Sequence, residues 1–570
     1  MTPSNIRVAA VLCALVGILA VPATCARPVT VTIDSGSITG TYTSTNFDAG
    51  SGADADTNTT GDVARFLGIR FGEPPVRFAP AQPAKPWSGM SSAPYDASSY
   101  GPTCLQQFNG AEDVRNRSMR WYNSPPFVGP ESEDCLFLNV FAPGSALSES
   151  GAAAAAAQRK AVMVWIYGGS FRIGSGALPA YDGTEFAARH DVLVVTFNYR
   201  VGVFGFPGAP QIADQEQNVG LLDQRLALNW VQRNIAAFGG NPRRVTIFGE
   251  SAGAGAVDML LTSSLGINTP AADLPFSAAI MQSGQGTAGV SDADSSKESW
   301  NKLADALDCP TGDGGDGGDG LLCMRTIPAT RLRNTAGEMS LTFFPIHDGG
   351  ATWSSQPRRD RQAGRVARVP ILIGSNAHEG DVMVYGRADV KGYLKSRFPP
   401  GTPFSFINDL LTGSWFGMPG FFDLNGQAAR IITEYSFQCP SGLIVSESRA
   451  IGIPAWRYFY NASFPNTDIY PGSGAYHSAE IKTLFGTFPA QDATPFQKRL
   501  HLAMQSAWAT FAKNPSQGPG WAYSADKVAL LGGGAAPGLS DEGREPITMV
   551  YTADIDSRCI LYTFPYALTP

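Results

Sequence analysis

A serine set between glycines ends an apolar run at residues 245–257, VTIFGESAGAGAV. The local pattern is Gly249-Glu250-Ser251-Ala252-Gly253, a G-x-S-x-G sequence. Flanking glycines let a chain turn sharply and leave room beside the serine. After a strand and before a helix, such a turn holds the hydroxyl out and brings the next backbone N–H beside it. A serine hydroxyl is a weak nucleophile near neutral pH, so it needs a base, and the base needs an orienting acid. The chain holds five histidines: His190, His347, His378, His477 and His501. His190 follows a predicted helix, where a surface position is expected. His501 falls in the helical stretch FQKRLHLAMQSAWATFAK, where a structural or solvated role is expected. His347 is a weaker candidate. His477 lies in the small-residue loop GSGAYHSAEI, and His378 stands beside Glu379 in GSNAHEGD, directly after the apolar run VPILI. Loops at sheet ends carry reactive groups readily, so His477 and His378 both stand as candidates for the base.

These residues need a rigid frame. Apolar, β-rich runs recur at 161–169, 192–200, 244–251, 277–284, 369–376 and 454–461. They are apolar on both alternating faces, as in strands covered by helices on both sides. Between two of them lies NVGLLDQRLALNWVQRNIAAFGGNP. There Leu222, Leu226, Val231 and Ile235, joined by Trp230, form a predicted apolar helix face, and Gly239-Gly240-Asn241-Pro242 is the expected stop. Strand, helix, strand in succession predicts an α/β fold with a mostly parallel sheet and crossover helices.

Composition narrows the class. The chain has 570 residues, 44% of them hydrophobic, with a formal charge of −7. That balance gives no basic field for nucleic acid. The N-terminus has a secretory order: Arg7, then VAAVLCALVGILAVPA, then the small residues of TCARP. Residues 1–26 are read as a signal peptide, cut after Ala26 or Ala23, and 27–570 as one catalytic domain. The apolar run is short for a full span, so no stable membrane insertion is expected. Cleavage leaves six cysteines, Cys104, Cys135, Cys309, Cys323, Cys439 and Cys559. An even number in a secreted chain predicts disulfides, and the absence of CxxC argues against a zinc site. Asn58, Asn116 and Asn461 lie in N-x-S/T sequons. TGDGGDGGDG (311–320) and DAGSGADADTNTTGD (48–62) read as surface loops.

The chain resembles the type-B carboxylesterase/lipase family of α/β-hydrolases. The resemblance rests on FLGIRFGEPPVRFAPAQP (66–83), SEDCLFLNVFAP (132–143), VMVWIYGGSF (162–171), NYRVGVFGF (198–206), the serine segment, MQSG, PIHDG, GSNAHEG and GAYHSAEIKTLFG. It implies Ser251 as nucleophile, Glu379 as acid and His477 as base, with His378 a neighbour of the acid. It implies an oxyanion hole from the backbone N–H groups of Gly169, Ser170 and Ala252. Ser170 stands where the family has a third glycine, and its side chain narrows the space. Ser283, in MQSG, is expected to support the triad by a hydrogen bond. The resemblance also implies the pairs Cys104–Cys135, Cys309–Cys323 and Cys439–Cys559. The first encloses a loop that borders the gorge in relatives and forms a lid in lipases; in it Trp121 is expected to pack rather than face substrate. The activity implied is hydrolysis of a small-molecule or lipid ester, with no cofactor or metal. A lipase or sterol esterase with a mobile lid is the nearest alternative, and a non-catalytic adhesion protein on the same fold is the more distant one.

Overall fold

All the apolar runs read from the sequence fall into one sheet. The computed structural model describes residues 27–46, 60–87, 93–122, 130–147, 158–286, 293–311, 319–399, 401–412, 424–535 and 544–567. Its strands are β1 (Arg27–Ile33), β2 (Gly36–Asn46), β3 (Thr60–Arg70), β4 (Tyr95–Asp96), β5 (Phe137–Pro143), β6 (Lys160–Ile166), β7 (Leu193–Phe197), β8 (Gly240–Glu250), β9 (Ala278–Gln282), β10 (Ile371–Asn376), β11 (Ala455–Ala462), β12 (Lys527–Ala535) and β13 (Ile547–Tyr551). The order across the sheet is β1-β2-β3-β5-β7-β6-β8-β9-β10-β11-β12-β13, with β4 beside β2. From β7 to β12 every neighbouring pair is parallel. Antiparallel strands extend both margins. Strands β5, β7, β9 and β10 are buried along their whole length, which explains why apolar residues fall on both of their faces.

Helix Val219–Asn234 departs from its predicted face. Leu222 and Leu226 are only half-buried, while Leu221, Leu228, Trp230 and Val231 are buried together with Asp223 and Gln224. The reason is a polar anchor inside the core. Asp223 accepts from Arg200 Nε and Nη2, both at 2.8 Å, and from the Arg200 backbone N–H at 3.1 Å. Apolar periodicity cannot anticipate a buried ion pair. The helix ends in a 3₁₀ turn, Ile235–Phe238, and Gly239 closes it at φ 82°. Gly240 to Pro242 already belong to β8. Thr60 to Asp62, read as loop, begin β3, whereas residues 48–59 and 312–318, and residues 1–26 with the expected signal peptide, lie outside the described residues.

A second apolar cluster lies beside the main core. It joins Leu394, Ile407, Leu411, Ile432, Tyr435 and Tyr562. Here helix Leu424–Thr433 runs into a π-helical turn, Glu434–Gln438, and on into helix Cys439–Ala450. The Tyr562 hydroxyl donates to Glu434 at 2.7 Å, and Cys439–Cys559 ties the same two segments. The other disulfides are Cys104–Cys135 and Cys309–Cys323, so all three pairings agree with expectation.

The Arg200–Asp223 pair yields a stability test. Asp223→Asn would leave a buried guanidinium without its carboxylate, which should cost about 3–5 kcal/mol of folding free energy. Denaturant unfolding would measure it. A loss below about 1 kcal/mol would mean that neighbouring carbonyls suffice for Arg200.

Candidate active site

The turn after β8 is held by close packing. A Cβ on Gly253 would lie 2.0 Å from the Ile166 carbonyl oxygen at the end of β6, and one on Gly249 would lie 2.6 Å from it. Both are impossible contacts, so the two glycines of the serine motif are required by backbone approach. Between them Ser251 adopts φ 55°, ψ −123°, a region that costs about 1–3 kcal/mol for a non-glycine residue. Its N–H donates to the Gln282 carbonyl at 2.8 Å. Helix Ala252–Thr262 follows at once, and Asp258 within it is paired with buried Arg361 and accepts from the Gly286 N–H at 2.9 Å.

Ser251 Oγ lies 2.7 Å from His477 Nε2, and His477 Nδ1 lies 2.6 Å from Glu379 Oε2. Glu379 is fully buried, and its other oxygen accepts from the Asn376 N–H at 2.6 Å. Glu379 comes from the turn after β10 and His477 from the loop before helix Ala479–Phe485. His378 does not reach the serine. It forms a bridge with Tyr476, and its Nδ1 accepts from the Ala475 N–H at 3.3 Å. It therefore docks the loop that carries His477.

Gly169, Ser170 and Ala252 border the same cavity as Ser251 and His477, a space of about 890 Å³. The loop after β6 bends through φ 108° at Gly169, 56° at Ser170 and 53° at Phe171. A Cβ on Gly169 would sit 2.4 Å from the Ile173 carbonyl. The Arg172 and Ile173 N–H groups both return to the Gly169 oxygen, at 3.0 and 3.1 Å. These bonds fix the course of the loop beside Ser251.

Two buried carboxylates escaped the reading of the sequence. Glu250 Oε1 accepts from Ser478 Oγ at 2.6 Å and lies 3.4 Å from His477 Nε2. Glu480 accepts from Asn376 Nδ2 at 2.7 Å and Gln282 Nε2 at 3.1 Å. Their signal was adjacency: one precedes Ser251, and the other follows His477 by three residues. Burial raises Glu250 to about 8 against the pull of His477. Burial alone would lower His477, but the carboxylates of Glu250 and Glu379 outweigh it and raise the imidazole to about 9. The two titrations are coupled, and both values lie above neutrality, so each group keeps its proton there. His477 becomes neutral as it gives up its own proton.

The other candidates lie elsewhere. His190 is half-buried rather than on the surface, and burial lowers it to about 4. His501 is structural, 2.9 Å from Glu185 and 2.7 Å from the Thr483 carbonyl. His347 lies against Trp353 at 4.0 Å between ring centroids. Ser283 borders the cavity, but the supporting hydrogen bond expected of it is not made: its buried Oγ has no partner, and only its N–H is engaged, with the Gly374 carbonyl. Trp121 does both things the sequence set against each other, packing on Tyr385 and Tyr470 while lining the cavity. Asn116 is exposed and Asn461 half-buried, while Asn58 lies outside the described residues. Among the described residues no group of three or more His, Cys, Asp or Glu could hold a metal, and no helix is long and apolar enough to cross a membrane.

Fold and site together define a serine ester hydrolase built on an α/β sheet. The chain belongs to the carboxylesterase family, which residues 30–399 match, and it is a carboxylic ester hydrolase. It is 31% identical to a cholinesterase of Mus musculus over 485 residues, covering 80% of this chain and 75% of that one. It is 32% identical to an acetylcholinesterase of Bungarus fasciatus over 494 residues, covering 80% and 76%. Against an acetylcholinesterase of Electrophorus electricus the identity is 38% over 337 residues, covering 57% of this chain and 49% of that one.

The raised value of His477 predicts a pH profile. The base form of His477 is populated only above its pKa, which lies above the ordinary 6.5. The kcat/KM for a neutral ester should therefore fall on acidification, along a limb above that value. Glu250→Gln removes a neighbouring carboxylate and should move the limb to lower pH. A limb that stays in place or rises would show that Glu250 does not control the base.

Proposed function

We propose that this chain is a secreted serine carboxylesterase that works through an acyl-enzyme. The observation that carries the proposal is the unbroken line from Ser251 Oγ through His477 to Glu379, at 2.7 and 2.6 Å. His477 takes the Ser251 proton as the hydroxyl attacks an ester carbonyl, then delivers it to the departing alcohol. Water activated by the same imidazole cleaves the acyl-enzyme. Glu379 holds the ring and stabilises its charged form. The N–H groups of Gly169, Ser170 and Ala252 receive the developing negative oxygen; loss of one such donor typically raises the barrier by about 2.7–4 kcal/mol.

Secretion is supported by the order of residues 1–26 and by three disulfides, which persist in oxidising compartments. An esterase is favoured over a lipase by helix Glu112–Tyr122, between Cys104 and Cys135. It carries Glu112, Asp113, Arg115, Arg117 and Arg120 and has no fully buried residue. That is a poor surface for meeting lipid.

Hydrolysis of 4-nitrophenyl esters from acetate to palmitate tests this function. Short esters should be cleaved fastest, with no rise above the micellar limit. Ser251→Ala and His477→Ala should each lower kcat/KM by about 10⁴-fold or more. His378→Ala should retain turnover, because that ring only docks the loop. Preference for long chains at an interface would indicate a lipase. Failure of Ser251 to react with a fluorophosphonate would point to a non-catalytic protein.

A further inference from the structure

The cavity above Ser251 is lined by arginines that form no ion pair among the described residues. Arg172 is two residues beyond Ser170 in the oxyanion loop, and its backbone is fixed at both ends: its N–H bonds Gly169, and its carbonyl accepts from Gln107 at 2.8 Å. Its guanidinium borders the cavity, its Nε is buried without a hydrogen-bond partner, and it joins none of the ion pairs among the described residues. Burial and the like charge of Arg387 both weaken its hold on its proton. A desolvated guanidinium without a carboxylate is unfavourable in an isolated protein and favours an anionic ligand.

The neighbouring wall has the same sign. Arg117 lies over Trp121 and Tyr385, at 5.4 and 5.6 Å from the ring centroids, and Arg387 lies 3.7 Å over Tyr393. Arg397 also borders the cavity with a buried, unpartnered Nε. Opposing them are Glu250, which burial holds largely protonated near neutrality, and exposed Asp389, whose carboxylate accepts from the Gly392 N–H at 2.8 Å. The rings of Trp121, Tyr385 and Tyr393 are thus already covered by the protein's own arginines.

We propose that this gorge selects esters bearing a carboxylate, which Arg172 receives beside the oxyanion loop. The proposal rests on the serine-esterase function above. A carboxylate matches the planar donor fork of arginine, and a buried donor left unmatched by a neutral substrate is a basis for strong discrimination.

The test compares matched esters on the full chain. For an anion on the acyl side, mono-(4-nitrophenyl) glutarate is set against its neutral methyl diester. For an anion on the alcohol side, 4-(butyryloxy)benzoate is set against its methyl ester. In one of the two arms, kcat/KM for the anion should exceed that for the neutral partner by about tenfold or more. Arg172→Met should collapse that ratio towards one, and Arg172→Lys should restore part of it. Cleavage of the neutral esters with no anionic preference in either arm overturns this proposal and leaves the esterase intact. Failure to cleave any of the four overturns both. If Arg172→Met disrupts the loop and cleaves nothing, competitive inhibition of the unmodified chain decides: phenylacetate at least about tenfold tighter than phenylacetamide supports the anion site, and equal inhibition overturns it.

Discussion

Everything at this site depends on how closely the turn after β8 presses against the end of β6. The Ile166 carbonyl leaves no space for a side chain at Gly249 or Gly253. That contact forces the chain through a left-handed residue at Ser251 and straight into a helix. The same β6 continues into the loop bearing Gly169 and Ser170. One sheet pairing, Ile166 opposite Gly249, thus sets the serine and the proposed oxyanion donors in mutual register. The strained backbone at Ser251 is tolerated because the surrounding sheet is buried and parallel on both sides.

The histidine reaches the serine by a different device. Glu379 and His477 are 98 residues apart, yet the 376–379 turn and the 474–477 loop are sewn together. The His378 N–H bonds the Ala475 carbonyl, and Asn376 reaches both Tyr476 and Glu480. Ring orientation follows from this docking as much as from the Glu379 hydrogen bond. Buried Glu480 and Gln282, linked in turn to Trp508, extend the support at the end of central strand β9.

Much of this was legible in the amino-acid order, for physical reasons. The central strands announced themselves because burial on both faces demands unbroken apolar runs, and the nucleophile motif because its glycines answer to a local steric need. What escaped depends on distant partners. Asp223 faces the core because Arg200 lies there, which inverts part of the predicted helix face. The cluster around Tyr435 and Tyr562 joins segments well apart in sequence, and no local period marks it. Residue physics left His378 and His477 level as candidates; the resemblance favoured His477, and in the fold that imidazole lies against Ser251. No local pattern marks Arg117, Arg172 and Arg387, which only the fold brings to one space.

The carboxylates gathered around His477 make folding an act of proton uptake. In an open chain Glu250 would release its proton near 4.5 and His477 near 6.5; in the fold they hold on to about 8 and about 9. Both pKa values are raised, so the native chain binds more protons than the unfolded one between these limits, and the stability they contribute is lost as pH rises through the folded values. Alkaline conditions free the imidazole to accept a proton, and they also leave adjacent buried carboxylates charged and mutually repelling. The groups proposed to drive turnover thereby set an upper pH boundary on the fold that holds them, and both demands are met or lost with the same pair of protons.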